Sequence, residues 1–200
     1  SDYIKNYLQK IQTCNRCVDG EECYGIFRNK NRIVAIGDIH GDFDMFLTAL
    51  IKAKVIKKQK ISEDNQKILY KPKWIGKDTI VVQMGDLLDS GGRSNSIESS
   101  VNDELLILKA LEDIDKLARK EGGRCISLIG NHELMNLRGD FRYATDNTVK
   151  MFNVSVNGQQ HNRKSLFQPG GILATKLSEL CYGIVKINDW VFVHAGFLPK

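Results

Sequence analysis

The 200-residue chain is 42% apolar and 26% charged, with a formal net charge of +5, which is the balance of a one-domain globular protein and excludes disordered and fibrous classes. No run of about 18 apolar residues occurs, so no membrane span is expected, and the N-terminal SDYIKNYLQK has no apolar signal-type core. The moderate positive charge suits an anionic substrate and gives no ground to expect nucleic acid.

In chain order, residues 1–29 read as an N-terminal extension: a short amphipathic stretch, then the Cys/Gly/Glu-rich CVDGEECYG. Five scattered cysteines argue for a reducing, intracellular and cytoplasmic setting rather than a disulfide framework. Cys14, Cys17 and Cys23 lie close together, but three thiolates need a fourth ligand to make a structural zinc site. None is near, and free thiols are the simpler reading. Arg32–Gly37 is a β-rich apolar run closed by Gly. Phe43–Val55 carries helical spacing through Phe46, Leu47, Leu50 and Ile51. Lys57–Lys77 is polar and Lys-rich and reads as a surface insertion; its charge run, which extends back to Lys52 and Lys54, has no interleaved aromatics of the kind that bind single strands. Thr79–Met84 is a second apolar run closed by Gly85. Val101–Lys120 is a long amphipathic helix with Leu105, Leu108, Leu111, Ile114 and Leu117 inward, ended by Gly122-Gly123. Arg124–Ile129 is a third strand. Residues 138–171 read as a mostly helical cap, broken at Pro169-Gly170-Gly171, and Ile172–Leu180 as a helix. Gly183–Ile187 and Trp190–Val193 flank Asn188-Asp189, a hairpin signal. Strands alternating with helices give an α/β class, and the late hairpin calls for a second, antiparallel sheet.

One event recurs. An apolar run ends in Gly or a small turn and is followed by metal-ligand residue types: Asp38-Ile39-His40, Asp86-Leu87-Leu88-Asp89, Asn131-His132-Glu133 and His194. Sites in open α/β sheets gather at the carboxyl ends of the strands. These segments therefore bring carboxylate, imidazole and amide donors to one rim. That mixture suits a borderline divalent metal such as Mn, Fe or Zn. Asp38-x-His40 fits one metal, Asp86 fits a bridge to a second, and Asn131 is a further ligand, with His132 left for acid/base work. Each residue alone could be a helix cap or a core hydrogen-bond partner; the set is harder to explain that way.

The ordered segments GDIHG (37–41), GDLLD (85–89), GNHE (130–133) and HAG (194–196) resemble the calcineurin-like metallophosphoesterases, in particular the phosphoprotein phosphatase branch. WIGKDTIVVQMGD (74–86), GNHELMNLRGDFRY (130–143) and PGGILATKL (169–177) are most similar to the Shewanella-like phosphatases. The resemblance implies an α/β fold in the form of a β-sandwich flanked by helices, with residues 30–200 as the catalytic domain and a C-terminal part still to follow. It implies two divalent metal ions (Mn, Fe or Zn). Asp38, His40 and Asp86 would hold one, and Asp86, Asn131 and His194 the other. His132 would be the general acid, oriented by Asp89. The expected reaction is hydrolysis of phosphoserine, phosphothreonine or phosphotyrosine in a phosphoprotein by attack of hydroxide, without a phospho-enzyme. Nucleotides, dinucleoside polyphosphates or other small phosphoesters are the alternative substrates, and a non-catalytic scaffold is a third reading that the intact ligand set disfavours. No membrane partner is expected, and the sequence does not fix the oligomeric state.

Two features depart from the family. The second motif usually continues Asp-Arg-Gly, and that Arg binds phosphate; here it reads Asp89-Ser90-Gly91-Gly92-Arg93. Arg93 either reaches back to replace it, as a guanidinium fork suits phosphate, or is a solvated surface residue. Arg142 is a second phosphate-binding candidate, with a structural ion pair as its alternative. The family also supplies another metal-binding His downstream. His161 lies upstream, where the pattern has no ligand, and reads as a cap, groove or surface residue.

Overall fold

The computed structural model describes residues 2–10, 20–28, 32–64, 67–91 and 101–198. The chain opens with α1 (Asp2–Lys10) and α2 (Gly20–Cys23), followed by β1 (Ile26–Phe27) and β2 (Ile33–Ile36). Next come α3 (Phe43–Lys52), the hairpin β3 (Ile56–Asp64) and β4 (Lys67–Trp74), and β5 (Ile80–Gln83). Then α4 (Val101–Arg119), β6 (Arg124–Leu128) and α5 (Asn131–Leu137) follow, then α6 (Asp146–Met151), β7 (Val154–Val156), β8 (Gln159–His161) and α7 (Arg163–Phe167). The described part ends with α8 (Ile172–Leu180), β9 (Cys181–Tyr182), β10 (Val185–Ile187) and β11 (Trp190–Phe192).

Four parallel strands form one sheet in the order β2-β5-β6-β9, and a three-stranded sheet runs β1-β10-β11. The period-2 alternation of strand side chains decides which face each residue covers. Along β5, Val81 turns to a core shared with Phe46, Leu50, Leu108 and Leu173 from the helices. Its neighbours Ile80 and Val82 turn the other way, onto Phe27, Val185 and Ile187 of the second sheet. On β6, Cys125 faces the helices while Ile126 and Leu128 face the second sheet. Because both faces of the parallel sheet are covered, all four β5 residues are buried. This is the expected sandwich with helices packed on its outer side.

Several expectations meet the structure directly. In α4, Leu105, Leu108, Leu111 and Ile114 are buried, Leu117 packs at the core's edge, and Gly122 at φ +77 ends the helix. The Lys-rich stretch read as a surface insertion is regular, and its Lys57, Lys58, Lys71 and Lys73 are exposed. It forms the β3–β4 hairpin, anchored where Ile56 pairs with Trp74 and both side chains are buried. Segment 138–171 is not mostly helical either: between α6 and α7 it makes the β7–β8 hairpin, turned by Asn157-Gly158 with both residues at positive φ. Asn-Gly fits such a two-residue turn because both positions need φ > 0. Within the stretch read as an extension, Ile26 and Phe27 pair in parallel with Lys186 and Ile187, so β1 is part of the second sheet. Leu8 of α1 is buried in the helix-side core. The second sheet is accordingly mixed: β10 and β11 are antiparallel, as the hairpin signal required, and β1 is parallel. Cys14 and Cys17 lie outside the described residues. No helix among the described residues is long and apolar enough to cross a membrane.

Candidate metal centre and its buried support

The turns after β2, β5, β6 and β11 meet at one edge, and backbone hydrogen bonds lock the first two together. Ile39 and His40 both donate their N–H to the Asp86 carbonyl at 2.9 Å, and Gly41 donates to the Leu87 carbonyl at 2.8 Å. His40, Asp86 and Asp89 sit at φ +49, +55 and +66, a left-handed region that ordinary side chains enter only when the surroundings impose it. Two glycines make the close approach possible. A Cβ on Gly130 would collide with the Asp86 carboxylate and backbone nitrogen, and one on Gly85 would lie 2.8 Å from His194 Nδ1.

Asp86 is buried and central. Its Oδ1 accepts the His132 backbone N–H at 3.0 Å. Its Oδ2 faces His194 Nε2 at 3.4 Å and His40 Nε2 at 3.9 Å, and Asp38 Oδ2 lies 3.6 Å from His40 Nε2. The tautomers follow from the carbonyl partners. His40 Nδ1 donates toward the Leu88 and Asp89 carbonyls at 3.2 Å, and His194 Nδ1 donates to the Met84 carbonyl at 2.7 Å. In the neutral rings both Nε2 atoms are therefore acceptors turned toward carboxylate oxygen. His194 Nε2 also stands 3.0 Å from Asn131 Oδ1. Lone pairs converging with no proton between them need a cation, and backbone carbonyls on the second ring nitrogens are the usual orienters of metal-binding imidazoles. The donor set thus fits divalent metal.

The donors fall into two groups, each with ligand atoms within 4.8 Å of one another: Asp38, Asp86 and His194; and His40, Asp86 and His132. Asp86 belongs to both, as a bridging ligand would. His132 Nδ1 is 3.1 Å from Asp89 Oδ2, which leaves its Nε2 for the rim. His132 also packs edge-on to His40 at 4.7 Å and beside the Tyr143 ring at 5.1 Å. The loop carrying Tyr143 is held there because Gly91 N–H donates to the Tyr143 carbonyl.

Sequence reasoning left Glu133 without a role. It is wholly buried, and its two carboxylate oxygens accept from the backbone N–H groups of Asp86, Leu87, Leu88 and Gly130 at 2.8–3.1 Å. The Glu is thus the internal bracket of the Asp86 turn; burial pushes its carboxyl up to about 7 against those donors. Sequence reasoning also missed Glu104, Asn136 and Arg163. Asn136 Nδ2 donates to Asp89 Oδ2 at 2.8 Å, and Arg163 donates to Asp89, Glu104 and Asn136. Burial first, and Glu104 second, raise the Asp89 carboxyl, while Arg163 and His132 pull it back. A signal for Glu104 was present: it shares the α4 stripe of Leu108 and Leu111, where an acidic residue has no business unless paired.

Other candidates stand apart. Arg93 lies outside the described residues. Arg142 is exposed and holds Asp140 at 2.9–3.0 Å, on the loop leading to Tyr143. His161 pairs with Val154 in the β7–β8 hairpin and joins neither donor group. A cavity of about 50 Å³ bounded by Glu112, Asp115, Arg124 and Tyr182 is separate from the rim.

Residues 31–196 match the Calcineurin-like phosphoesterase family. The chain is 34% identical to Shewanella-like protein phosphatase 2 of Arabidopsis thaliana over 82% of its own length and 33% of that protein's. It is 31% identical to Shewanella-like protein phosphatase 1 of Plasmodium berghei over 86% of its length and 41% of that protein's. In structure it is similar to the cold-active protein-tyrosine phosphatase of a psychrophilic Shewanella species, with a TM-score of 0.62 and 25% identity, over 95% of this chain and 52% of that one. The chain thus spans about a third to a half of the length of these relatives. Four turns converging on a shared aspartate, in the order and over the residues that the family matches, make this chain a member of the calcineurin-like phosphoesterases.

Proposed function

We propose that the full-length protein is a metal-dependent phosphatase that hydrolyses phosphoprotein monoesters at the Asp86 rim. The observation that carries this reading is the shared Asp86 carboxylate, flanked by two imidazole acceptors and next to a His–Asp pair. The proposed assignment regroups the donors. Asp38, whose Oδ2 also lies 3.6 Å from His40 Nε2, joins His40 and Asp86 on one divalent ion, Mn, Fe or Zn; Asp86, Asn131 and His194 hold the other, and His132 is kept for proton transfer. Such a pair, when bound, brings a water's pKa toward neutrality and clamps phosphate. His132 gives its Nε2 proton to the leaving oxygen as the P–O bond breaks, and Asp89 keeps the ring in the donor orientation through Nδ1. Arg142 and Arg93 are the proposed phosphate ligands, with Arg142 exchanging Asp140 for substrate.

The Shewanella relative's description as a protein-tyrosine phosphatase, with the exposed Tyr143 ring beside His132, favours phosphotyrosine over phosphoserine and phosphothreonine. The test is a substrate profile of the manganese-loaded full-length protein with phosphotyrosine and phosphoserine peptides and dinucleoside polyphosphates. Release of phosphate from peptides, fastest from phosphotyrosine, is the expected result. Cleavage of the nucleotides alone would overturn the phosphoprotein assignment.

A further inference from the structure

The guanidinium of Arg163 lies one layer behind His132, too deep to touch a substrate: the residue is 1% exposed. Every edge of its fork is spent. One terminal nitrogen donates to Asp89 Oδ1 at 3.0 Å, the other to Glu104 Oε2 at 2.9 Å, and Nε donates to Asn136 Oδ1 at 2.8 Å. The rings of Phe141, Phe152 and Phe167 surround it at 5.1–5.7 Å. On the far side, Asp89 Oδ2 receives both Asn136 Nδ2 and His132 Nδ1, and the same Asn136 amide also donates to the His132 carbonyl. Two of the groups that set the His132 ring are therefore themselves set by one guanidinium. A buried ion pair of this kind can usually be replaced by packed apolar side chains at little loss of stability. Its value lies in orientation, since a planar fork fixes carboxylate geometry in a way a single ammonium does not.

We propose that Arg163 is a positioning residue for proton delivery: it clamps Asp89 and Asn136 so that the His132 imidazole presents Nε2 to the leaving oxygen. Glu104 is the anchor that holds the guanidinium against Asp89. The inference rests on the proposed role of His132 as the proton donor. It also assigns a purpose to segment 138–171, because α7, docked on α5 and α8, carries the clamp.

The test compares R163K, which keeps the charge and loses the fork, with R163M/E104Q, which removes the guanidinium and neutralises its anchor in case the single variant fails to fold. For the manganese-loaded full-length protein, kcat and KM are measured over aryl phosphates whose leaving groups run from dinitrophenol to phenol. A poor leaving group depends on the donated proton and a good one does not. Phenyl phosphate is expected to lose ~10-fold more in kcat than dinitrophenyl phosphate, with KM and bound manganese unchanged. In metal-free protein, the ring ¹⁵Nδ1–H resonance of His132 is expected to shift as its hydrogen bond to Asp89 loosens. An equal loss across the whole series, or no loss and an unmoved His132 signal, overturns the role of Arg163. H132N serves as the reference: if it too shows no leaving-group dependence, the proton-donor assignment itself fails, whereas dependence in H132N alone sinks only the clamp.

Discussion

The rim and the layer beneath it solve opposite problems. At the rim, Asp38 is half exposed, His194 is partly so, and the donors are held by strained turns and backbone carbonyls. Beneath it, Asp89, Glu104, Asn136 and Arg163 are buried to 1% exposure or less and held by one another. At the rim lone pairs face each other, an arrangement that a bound divalent cation would neutralise. The buried layer has no such outside partner, so it must close its own charges: two carboxylates on one guanidinium, with an amide linking them to His132. Changes at the rim should therefore act on metal and turnover, while changes beneath should act on the orientation of one proton donor.

The largest expected effect comes from breaking the rim at its shared member. D86N keeps the shape and removes the charge facing both His40 and His194. Hydrolysis of an aryl phosphate is expected to fall to background, and calorimetric titration should show loss of tight manganese binding. Retained binding of two manganese ions would contradict a bridging Asp86. One step down is H132N. It leaves the turns and Asp86 in place, so manganese should still bind, while kcat for phenyl phosphate drops by about 10²–10⁴-fold.

That contrast also explains what the sequence could reveal. Asp38, His40, Asp86 and Asn131 each follow an apolar run and a sharp turn at the end of a parallel strand, and His194 follows β11 of the second sheet in the same way, so local pattern suffices to find them. Glu104 on α4 and Arg163 on α7 are 59 positions apart in the chain and meet only in the folded structure; no spacing rule links them. The β7–β8 hairpin was legible through Asn157-Gly158 but hidden by the expectation of a helical cap. The β3–β4 hairpin was obscured because its lysines follow no apolar alternation. The parallel pairing of β1 with β10 rests on two residues, Ile26 and Phe27, too few to carry a period.

Glu133 joins the two regions, and E133Q tests which one it serves. Its two oxygens each accept two backbone N–H groups. A glutamine supplies one acceptor and sets an NH₂ against the remaining donors. Leaving buried donors unpaired costs about 1–3 kcal/mol, which thermal unfolding would register. Because those donors shape the Asp86 turn, manganese affinity should fall by about 10–100-fold, the usual cost of disturbing groups that orient metal ligands. Turnover at saturating manganese should stay near the wild-type value, since His132 and Asp89 are untouched. A lost kcat with normal affinity would move Glu133 from the metal side to the proton side.

The smallest effect is expected at the opposite edge of the sheet, where α3 ends and the β3–β4 hairpin leads into β5. Lys57 there stands directly across from Lys73, and both side chains are exposed. Like charges in facing positions of an antiparallel pair repel, while opposite charges attract, by roughly 0.2–1 kcal/mol. K73E turns the first case into the second. A gain of that size in unfolding free energy is expected at low salt, shrinking as added salt screens the exposed pair. Turnover and manganese affinity should not move, because Lys57 and Lys73 sit at the start of the hairpin, at the end of the sheet opposite the turns that carry the donors. If K73E instead changed kcat, the hairpin would have to communicate with the rim through α3, whose first turn follows the His40 segment, and the two ends of the sheet would not act independently.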